Sequence, residues 1–357
     1  MSTEITIAAV GDFLIKTRII RSAKVSGDKN FSFDEIFEPV APYLREADLT
    51  IGNLETTFSG PGIGDYLVPR RNPKTKWPLF NCPDQFAGTL KNLGFDVLST
   101  ANNHCVDCGI SGLKRTLKVL DAKGIAHTGT YRSYNESREL LIKNVKGIKI
   151  GFLAYTKGTN RMPVPSDHSW AVNLIDTNKM IADLKRLKAR NVDLIIVCMH
   201  FGREYRKLPI DEQRNWVRIL FKYGADIVLG AHSHVIQPAI MQEVKDHTGV
   251  TRRRFAIYSL GNFISTRLYR NDHTLTGLIT RIKVRKHDDG RIEIMNTDFI
   301  PTWVKSVKNG FRVVPLGKAV EKKIGSSSGE TERMKAMYQH VKRHITKYSD
   351  PPEFKMI

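Results

Sequence analysis

LFKYGADIVLGAHSH, residues 220–234, runs from the end of a predicted helix through a short apolar strand into a polar cluster. Gly224 follows the helical part, at the position where a left-handed cap ends a helix. The run IVLGA is continuously apolar, which is typical of a strand buried on both faces. His232 and His234 follow at once. The stretch therefore predicts a helix–strand unit with two histidines at the carboxyl end of its strand.

The same order of elements recurs along the chain. It appears in YLREADLTIGNLE (43–55), LKNLGFDVLSTANNH (90–104) and LKARNVDLIIVCMH (187–200), and without the helix in ITIAAVGD (5–12). Alternating helices and strands indicate βαβ units, whose ligands bind beyond the carboxyl ends of the strands. The predicted fold class is therefore α/β. Five strand ends bring together one set of polar residues: Asp12, Glu55, Asn103, His104, His200, His232 and His234.

The pattern changes near Thr248. The segments RRRFAIYSLGNFI (252–264), TLTGLITRIKV (274–284) and GRIEIMNTDFIPTWV (290–304) predict consecutive strands, with a hairpin turn at Asp289-Gly290. The triple arginine 252–254 predicts an exposed strand edge or turn. Beyond about Gly317 the chain is charged and weakly helical, and SSSGE (326–330) predicts a loop. We expect a domain over residues 1–316 and a charged, basic C-terminal extension over 317–357.

Composition limits the classes of partner and compartment. The 357 residues carry a formal net charge of +20, from 56 Lys and Arg against 36 Asp and Glu. This excess favours polyanionic partners, although a solvated basic surface explains it equally well. Four cysteines are too few for a disulfide scaffold in so long a chain. The first residues lack the basic segment of a signal peptide, and the apolar runs are too short to cross a bilayer. We expect a cytoplasmic protein without an integral membrane segment.

The polar set has the chemistry of a metal site. Manganese, iron and zinc accept imidazole and carboxylate ligands together. His232 and His234 are alternate residues, so both side chains can reach one cluster. Glu55 has two oxygens and can bridge a pair of cations, while Asn103 offers a neutral carbonyl oxygen. The sequence predicts two divalent metal ions, Mn or Fe, with Zn as the alternative, and His104 as a proton donor or charge stabiliser.

Further residues near these strand ends are candidates for substrate contacts. We expect Asp107 to orient an imidazole, with a helix cap as the alternative. Arg203 is predicted to take part in catalysis by pairing with an anionic oxygen, with a surface ion pair as the alternative. The predicted substrate-binding residues are Glu204, Tyr205, Asn262, Arg70 and Arg71. Support of the site or a turn is the alternative for Asn262, and a solvated loop is the alternative for Arg70 and Arg71. Cys105 and Cys108 form a Cys-x-x-Cys pair, for which packing beside the metal site is favoured over a redox role.

A family resemblance rests on six motifs in order along residues 5–300. They are AVGD (9–12), GNLE (52–55), ANNHCVDCG (101–109), HFGREY (200–205), AHSHV (231–235) and YSLGNFI (258–264). This series resembles the CapA family, which is associated with bacterial poly-γ-glutamate capsule synthesis and belongs to the calcineurin-like metallophosphatase superfamily. The resemblance implies a four-layer αββα sandwich, completed here by the C-terminal strands.

The resemblance also implies roles for the polar residues. Asp12 and His234 would bind the first metal, Glu55 would bridge, and the second metal would be held by Asn103, His200 and His232. Two departures from the superfamily stand out. The usual Asp-x-His is Asp12-Phe13-Leu14 here, and Glu55 replaces the usual bridging Asp. The first site thereby loses an imidazole, which predicts weaker binding there or a preference for a harder ion.

These features predict a dinuclear metal-dependent hydrolase linked to poly-γ-glutamate capsule metabolism. Its substrate would be anionic, a small molecule or a polymer, cleaved at a phosphoester or a γ-glutamyl amide. The first alternative is a non-catalytic accessory subunit that binds the polymer together with partners in poly-γ-glutamate synthesis. The second, less favoured because no nucleic-acid-binding motif accompanies the basic segments, is a nucleic-acid-binding phosphodiesterase.

Overall fold

The computed structural model of the chain describes residues 2–28, 30–324, 327–348 and 354–357. Its strands are β1 (Thr3–Phe13), β2 (Leu49–Asn53), β3 (Arg70–Arg71), β4 (Pro78–Leu79), β5 (Val97–Ser99), β6 (Ala126–Thr128), β7 (Leu141–Val145), β8 (Ile148–Thr156), β9 (Leu194–His200), β10 (Ile227–Ala231), β11 (Ile236–Lys245), β12 (Thr251–Leu260), β13 (Asn262–Ile264), β14 (Thr276–Lys286), β15 (Ile292–Val307), β16 (Gly310–Pro315) and β17 (Phe354–Met356). Its α-helices are α1 (Thr17–Ser22), α2 (Asp34–Phe37), α3 (Ala41–Arg45), α4 (Gln85–Asn92), α5 (Gly109–Ala122), α6 (Tyr134–Ser137), α7 (Thr177–Lys188), α8 (Asp211–Lys222), α9 (Leu316–Glu321) and α10 (Ser328–Ile345).

Two sheets form the centre of the molecule. The first has the order β16-β15-β14-β1-β2-β5-β6, with β13 paired to β1 and β17 paired to β15. The second has the order β11-β12-β10-β9-β8-β7. Strands β1, β2, β5 and β6 are parallel in the first sheet, and β8, β9, β10 and β12 are parallel in the second. Parallel strands place their carboxyl ends at one edge, so each sheet has one edge where loops can carry a site.

The two sheets face each other across an apolar layer. Ile7 and Ile51 of the first sheet belong to the same buried cluster as Phe152, Ile196 and Ile257 of the second. A second cluster covers the outer face of the first sheet with the side chains of α1 to α4, and a third covers the second sheet with those of α7 and α8. The layers are therefore helix, sheet, sheet and helix, and the predicted αββα sandwich is confirmed.

The helices follow the predicted amphipathic pattern. In α8, the buried side chains include Val217, Leu220 and Phe221, which lie on one helical face. Gly224 follows this helix with φ of 104°, and Gly94 follows α4 with φ of 89°. Glycine adopts this left-handed backbone without the clash of a Cβ atom, so each helix ends before the next strand begins.

The C-terminal strands are present, but the prediction for the triple arginine is wrong. β12 contains residues 252–254 and lies between β10 and β11 rather than at an edge. Arg254 is 1% exposed, and its guanidinium lies 3.2 Å from Asp226 Oδ1 and 3.4 Å from Asp246 Oδ2. Burial of a charged group requires such partners. Asp226 and Asp246 come from different turns, 28 and 8 residues before Arg254, and no residue period relates them to it, which is why the pattern alone did not reveal the ion pairs.

The described residues beyond residue 316 pack mainly on β11 and β15. α10 buries Met334, Met337 and Val341 in the layer between the sheets, and β17 pairs with β15. SSSGE was predicted as a loop, and its first residue, Ser326, lies outside the described residues. Ser328 already begins α10, because the Ser327 side chain accepts a hydrogen bond from Glu330 N and caps the helix. The division at residue 316 stays a prediction. Within the described ranges, no helix combines the length and apolar character needed to cross a membrane.

Candidate metal centre

The carboxyl edges of the two sheets lie together, and the predicted polar set lies between them. Asp12 lies in β1, His200 ends β9, and the other five residues lie in the loops that follow β2, β5 and β10. All seven side chains are buried or nearly so. The set consists of Asp12, Glu55, Asn103, His104, His200, His232 and His234.

Two groups of ligand atoms overlap at Glu55. Asp12, Glu55 and His234 form one group, and Glu55, His200 and His232 form the other; within each group the ligand atoms lie within 4.8 Å of one another. His234 Nδ1 lies 3.4 Å from Asp12 Oδ2 and 3.8 Å from Glu55 Oε2, while His200 Nε2 lies 3.5 Å from Glu55 Oε1. One carboxylate therefore belongs to two potential cation sites.

The surroundings of Glu55 fit a pair of cations. The residue is 0% exposed, and neither of its carboxylate oxygens has a hydrogen-bond partner among the described residues. Burial and the neighbouring Asp12 raise the pKa of Glu55 to about 8. A buried carboxylate without partners is costly, and divalent cations would supply the missing partners.

The imidazoles of the second group are in the form that binds metals. Burial lowers the pKa of His200 to about 3 and lowers that of His232 well below its ordinary value. His232 Nδ1 lies 3.2 Å from His200 Nε2, and Asn103 Oδ1 lies 2.7 Å from the same nitrogen. Neutral nitrogens and an amide oxygen that point into one space are suitable ligands for a borderline divalent ion.

The backbone after β10 directs the two histidines. Gly230 lies so close to β12 that a Cβ atom there would be 2.1 Å from the carbonyl oxygen of Tyr258. The chain then turns, with left-handed φ values of 94° at His232 and 56° at His234. Such values are strained for residues with a side chain and concentrate at functional sites. The turn places both imidazoles against the cluster.

The side chains of two asparagines contact the predicted metal ligands. Asn53 Nδ2 donates to Asp12 Oδ1 at 2.8 Å and lies 3.2 Å from His200 Nδ1. Asn262 is fully buried on β13 opposite Asp12, and its Oδ1 lies 3.0 Å from His234 Nδ1. Asn262, predicted to bind substrate, thus lies behind His234. Asn53 was not predicted, although it belongs to the GNLE motif that supplied Glu55.

His104 and Asp107 form a buried pair beside the ligand groups. His104 Nδ1 lies 2.8 Å from Asp107 Oδ2, the contact predicted for an orienting carboxylate. Phe80 N donates to the same oxygen at 2.7 Å, and the Phe80 ring lies 4.5 Å from the imidazole between centroids. Burial lowers the pKa of His104, but the Asp107 charge and hydrogen bond outweigh it, so the net shift is upward. Phe80 was not among the predicted site residues, because no local pattern relates its backbone to Asp107, 27 residues further along the chain.

A basic cleft of about 620 Å³ opens over this pair. His104 and His234 line it, together with Tyr205. Among its described lining residues six are cationic and one, Glu204, is acidic; the cations are Lys16, Arg18, Arg70, Arg71, Lys76 and Arg267. Four predicted substrate-binding residues are therefore brought together at the cleft: Arg70, Arg71, Glu204 and Tyr205.

Arg203 lies apart from this arrangement, whereas the cysteines lie beside it, with Cys108 Sγ 3.8 Å from Arg70 Nη1. Arg203 is exposed and is not one of the residues that line the cleft. Cys105 and Cys108 are free thiols, and burial raises the pKa of Cys105 to about 12. A reactive redox thiol needs a lowered pKa, so the arrangement favours packing beside the site over redox chemistry.

Comparison with known proteins agrees with the fold and the motifs. The family described as "Bacterial capsule synthesis protein PGA_cap" matches residues 6–267. The chain is 26% identical over 264 residues to the capsule biosynthesis protein CapA of Bacillus anthracis, covering 73% of this chain and 60% of that protein. It is 27% identical over 292 residues to the PGA biosynthesis protein CapA of Bacillus subtilis (strain 168), covering 81% and 70%. The match thus spans less than two thirds of the Bacillus anthracis relative.

Solved structures share the layered fold at low sequence identity. The Haemophilus influenzae NAD nucleotidase NadN aligns with 11% identity and a TM-score of 0.50, covering 100% of this chain and 57% of that one. The protein described as "Putative 5'-Nucleotidase" of Staphylococcus aureus aligns with 13% identity and a TM-score of 0.51, covering 94% of this chain and 58% of that one. The family match extends over most of the chain, and all six motifs lie within it. The chain belongs to the bacterial capsule synthesis family PGA_cap.

Proposed function

We propose that this protein is a dinuclear metal-dependent hydrolase that acts on an anionic substrate in poly-γ-glutamate capsule metabolism. The observation that carries the proposal is Glu55, which two ligand groups share and whose buried oxygens have no hydrogen-bond partner among the described residues. A carboxylate in this position is suited to bridge two cations. Asp12 and His234 would complete the first site, and Asn103, His200 and His232 the second.

Different residues of the chain would have different roles in hydrolysis. When bound, a pair of divalent cations polarises the oxygens of the scissile group and lowers the pKa of water. His104 lies where the cleft meets the ligand groups, and Asp107 holds its ring by the Nδ1 contact. It is therefore placed to exchange a proton with the substrate or to stabilise developing charge at Nε2.

The cleft supports an anionic substrate. Its lysines and arginines surround the approach to His104 and His234, so they favour a ligand with negative charge. A phosphoester and a γ-glutamyl amide of an acidic polymer both have this charge. The family and the named Bacillus relatives favour a role in capsule synthesis, where the polymer and the proteins that make it would be partners.

Metal analysis coupled to an activity screen tests the proposal. We expect purified protein to contain Mn or Fe, or else Zn, and to hydrolyse members of a panel of phosphoester and γ-glutamyl substrates with added Mn²⁺. His200→Ala and His232→Ala should each abolish turnover, because each removes an imidazole from the second site. His287→Ala, on the β14–β15 hairpin far along the chain from these motifs, is the control and should stay active. Full activity after metal stripping would refute the proposal.

A non-catalytic polymer-binding role is the second candidate, favoured by the same basic cleft. It requires binding of poly-γ-glutamate without turnover, and binding should survive His104→Ala, since that change leaves the cationic lining intact. Detection of γ-glutamyl or phosphoester hydrolysis that depends on His104 would exclude binding alone.

A further inference from the structure

Asn160 lies outside every motif described above, yet it contacts two residues of the candidate site. It belongs to the loop after β8, in the second sheet, whereas Asn103 and His104 follow β5 of the first. Asn103 Nδ2 donates to Asn160 Oδ1 at 3.1 Å, and Asn160 Nδ2 lies 3.2 Å from His104 Nε2. Its backbone is left-handed, with φ of 51°, which asparagine tolerates better than most residues. One side chain therefore connects the ends of both sheets.

The neighbouring contacts determine which end of the Asn160 amide faces Asn103 and which faces His104. Asn103 Oδ1 faces His200 Nε2 at 2.7 Å, so its amide nitrogen must point towards Asn160. Asn160 then presents its oxygen to Asn103 and its nitrogen to His104. In the neutral ring, whose Nδ1 proton Asp107 accepts, His104 Nε2 has a lone pair that can accept from Asn160. With this orientation, every donor in the series faces an acceptor. A flipped Asn160 amide would instead place its own Nδ2 donor against the Nδ2 donor of Asn103.

We infer that Asn160 is a positioning residue that links the second cation site to His104. The inference deepens the proposed function and rests on it for the role of the cations. The Asn160 oxygen holds the Asn103 amide with its own oxygen towards the ligand cluster, and the Asn160 N–H group holds the imidazole plane of His104. Residues that orient a metal ligand in this way affect metal affinity and turnover about 10–100-fold in other metalloproteins.

Two substitutions separate the two contacts. Asn160→Asp keeps an oxygen for Asn103 but offers no N–H group to His104, and it preserves the shape of the side chain. Asn160→Ala removes both contacts. Asn191→Ala is the matched control, because Asn191 is also a left-handed asparagine, with φ of 51°, in the turn after α7.

Calorimetric titration with Mn²⁺ and steady-state kinetics with bis(4-nitrophenyl) phosphate give the first two readouts. Asn160→Ala should weaken the second Mn²⁺ binding step about tenfold and lower kcat about tenfold or more, with KM changed less than about twofold. Asn160→Asp should bind Mn²⁺ at least as tightly as the wild type and still lose kcat as the alanine variant does. Wild-type Mn²⁺ affinity in Asn160→Ala would overturn the link to Asn103, and full kcat in Asn160→Asp would overturn the link to His104.

A third readout needs neither metal nor substrate. The ¹⁵N resonance of His104 Nε2 in the metal-free protein should shift in both Asn160 variants and stay unchanged in Asn191→Ala. An unchanged resonance in Asn160→Ala would refute the hydrogen bond. If the wild type hydrolyses no probe, the proposed function fails, whereas this signal and the Mn²⁺ affinities still decide the role of Asn160.

Discussion

Glu55 is suited to bind cations but lowers the stability of the metal-free protein. Its carboxylate is completely buried beside Asp12, and its oxygens have no hydrogen-bond donor among the described residues. A folded-state pKa of about 8, against an ordinary value of 4.5, means that the metal-free protein loses stability as the pH rises from 4.5 through 8. Active sites commonly retain such destabilising groups because function requires them.

Replacement of this carboxylate should therefore stabilise the empty protein and weaken the response to metal. Glu55→Gln removes the charge while preserving the shape, so we expect Tm at pH 8 in chelator to rise by about 3 °C. Added Mn²⁺ should raise Tm of the wild type more than that of the variant, since ligand binding stabilises the folded state by mass action. Thermal unfolding with and without Mn²⁺ measures both, with exposed Glu46→Gln as the control. A lower Tm of the metal-free variant would contradict this account of Glu55.

At the scale of elements, α10 holds the loops at one side of the cleft. His340 of α10 lies 4.6 Å from His273 and 4.9 Å from His344 between ring centroids, and His344 Nε2 donates to the carbonyl oxygen of Lys207 at 2.7 Å. His273 follows the segment of Arg267 and Tyr269 that lines the cleft, and Lys207 follows Tyr205. α10 therefore contacts the chain next to two of the segments that line the cleft.

This histidine cluster should make the protein sensitive to mild acid. Burial, reinforced by Lys207 and the neighbouring imidazoles, lowers the pKa of His273 and His340 to about 4. An unfolded histidine titrates near 6.5, so between these values the unfolded chain binds more protons and stability falls as the pH drops. We expect His340→Gln to reduce the loss of unfolding free energy between pH 7 and pH 5 by about 1 kcal/mol, a value discounted for partial exposure.

Urea unfolding at the two pH values measures this effect. His287→Gln, on the β14–β15 hairpin, provides a matched control outside the cluster. Equal losses of unfolding free energy in the wild type and His340→Gln would show that the cluster is not the source of the acid sensitivity.

At the scale of the whole molecule, the excess positive charge is concentrated in part at the cleft. Burial and the charges of Arg71 and Arg18 lower the pKa of Lys16, as expected where cations crowd together without anions. The overall charge of +20 adds a long-range attraction for anionic ligands. Association with a polyanion should therefore weaken as salt screens both contributions.

Salt and the arginines of the cleft should act on substrate capture rather than on turnover. We expect KM for an anionic substrate to rise as NaCl is raised from about 50 to about 200 mM, over which the Debye length shortens. Arg70→Ala and Arg71→Ala should each raise KM about three- to tenfold with kcat unchanged, because a lost charge contact of this kind is worth roughly 1 kcal/mol. Arg291→Ala, in the exposed β14–β15 turn, should leave KM unchanged. Steady-state kinetics measures KM and kcat of the wild type and of each variant. A KM that does not change with the salt concentration would contradict a role of these charges in substrate capture.

The sequence by itself determined the elements and the chemistry of the site. Continuous apolar runs followed by His200, His232 and Glu55 specified buried strands with ligands at their ends, because strand burial and side-chain type are local properties. The motif order likewise identified the family and its layered fold. The glycines after α4 and α8 could be located for the same reason, since a left-handed cap is a local backbone requirement.

Only the tertiary structure decided which residues support that chemistry. Asn160 and Phe80 contact partners that are far away in the sequence, and no local pattern encodes such contacts. The exposure of Arg203 and the burial of Asn262 behind His234 depend equally on how the loops of two sheets meet. Helices, strands and their glycine caps follow from short-range interactions along the chain. The contacts and the exposure of a side chain are decided only when distant segments pack together and exclude water from the space between them.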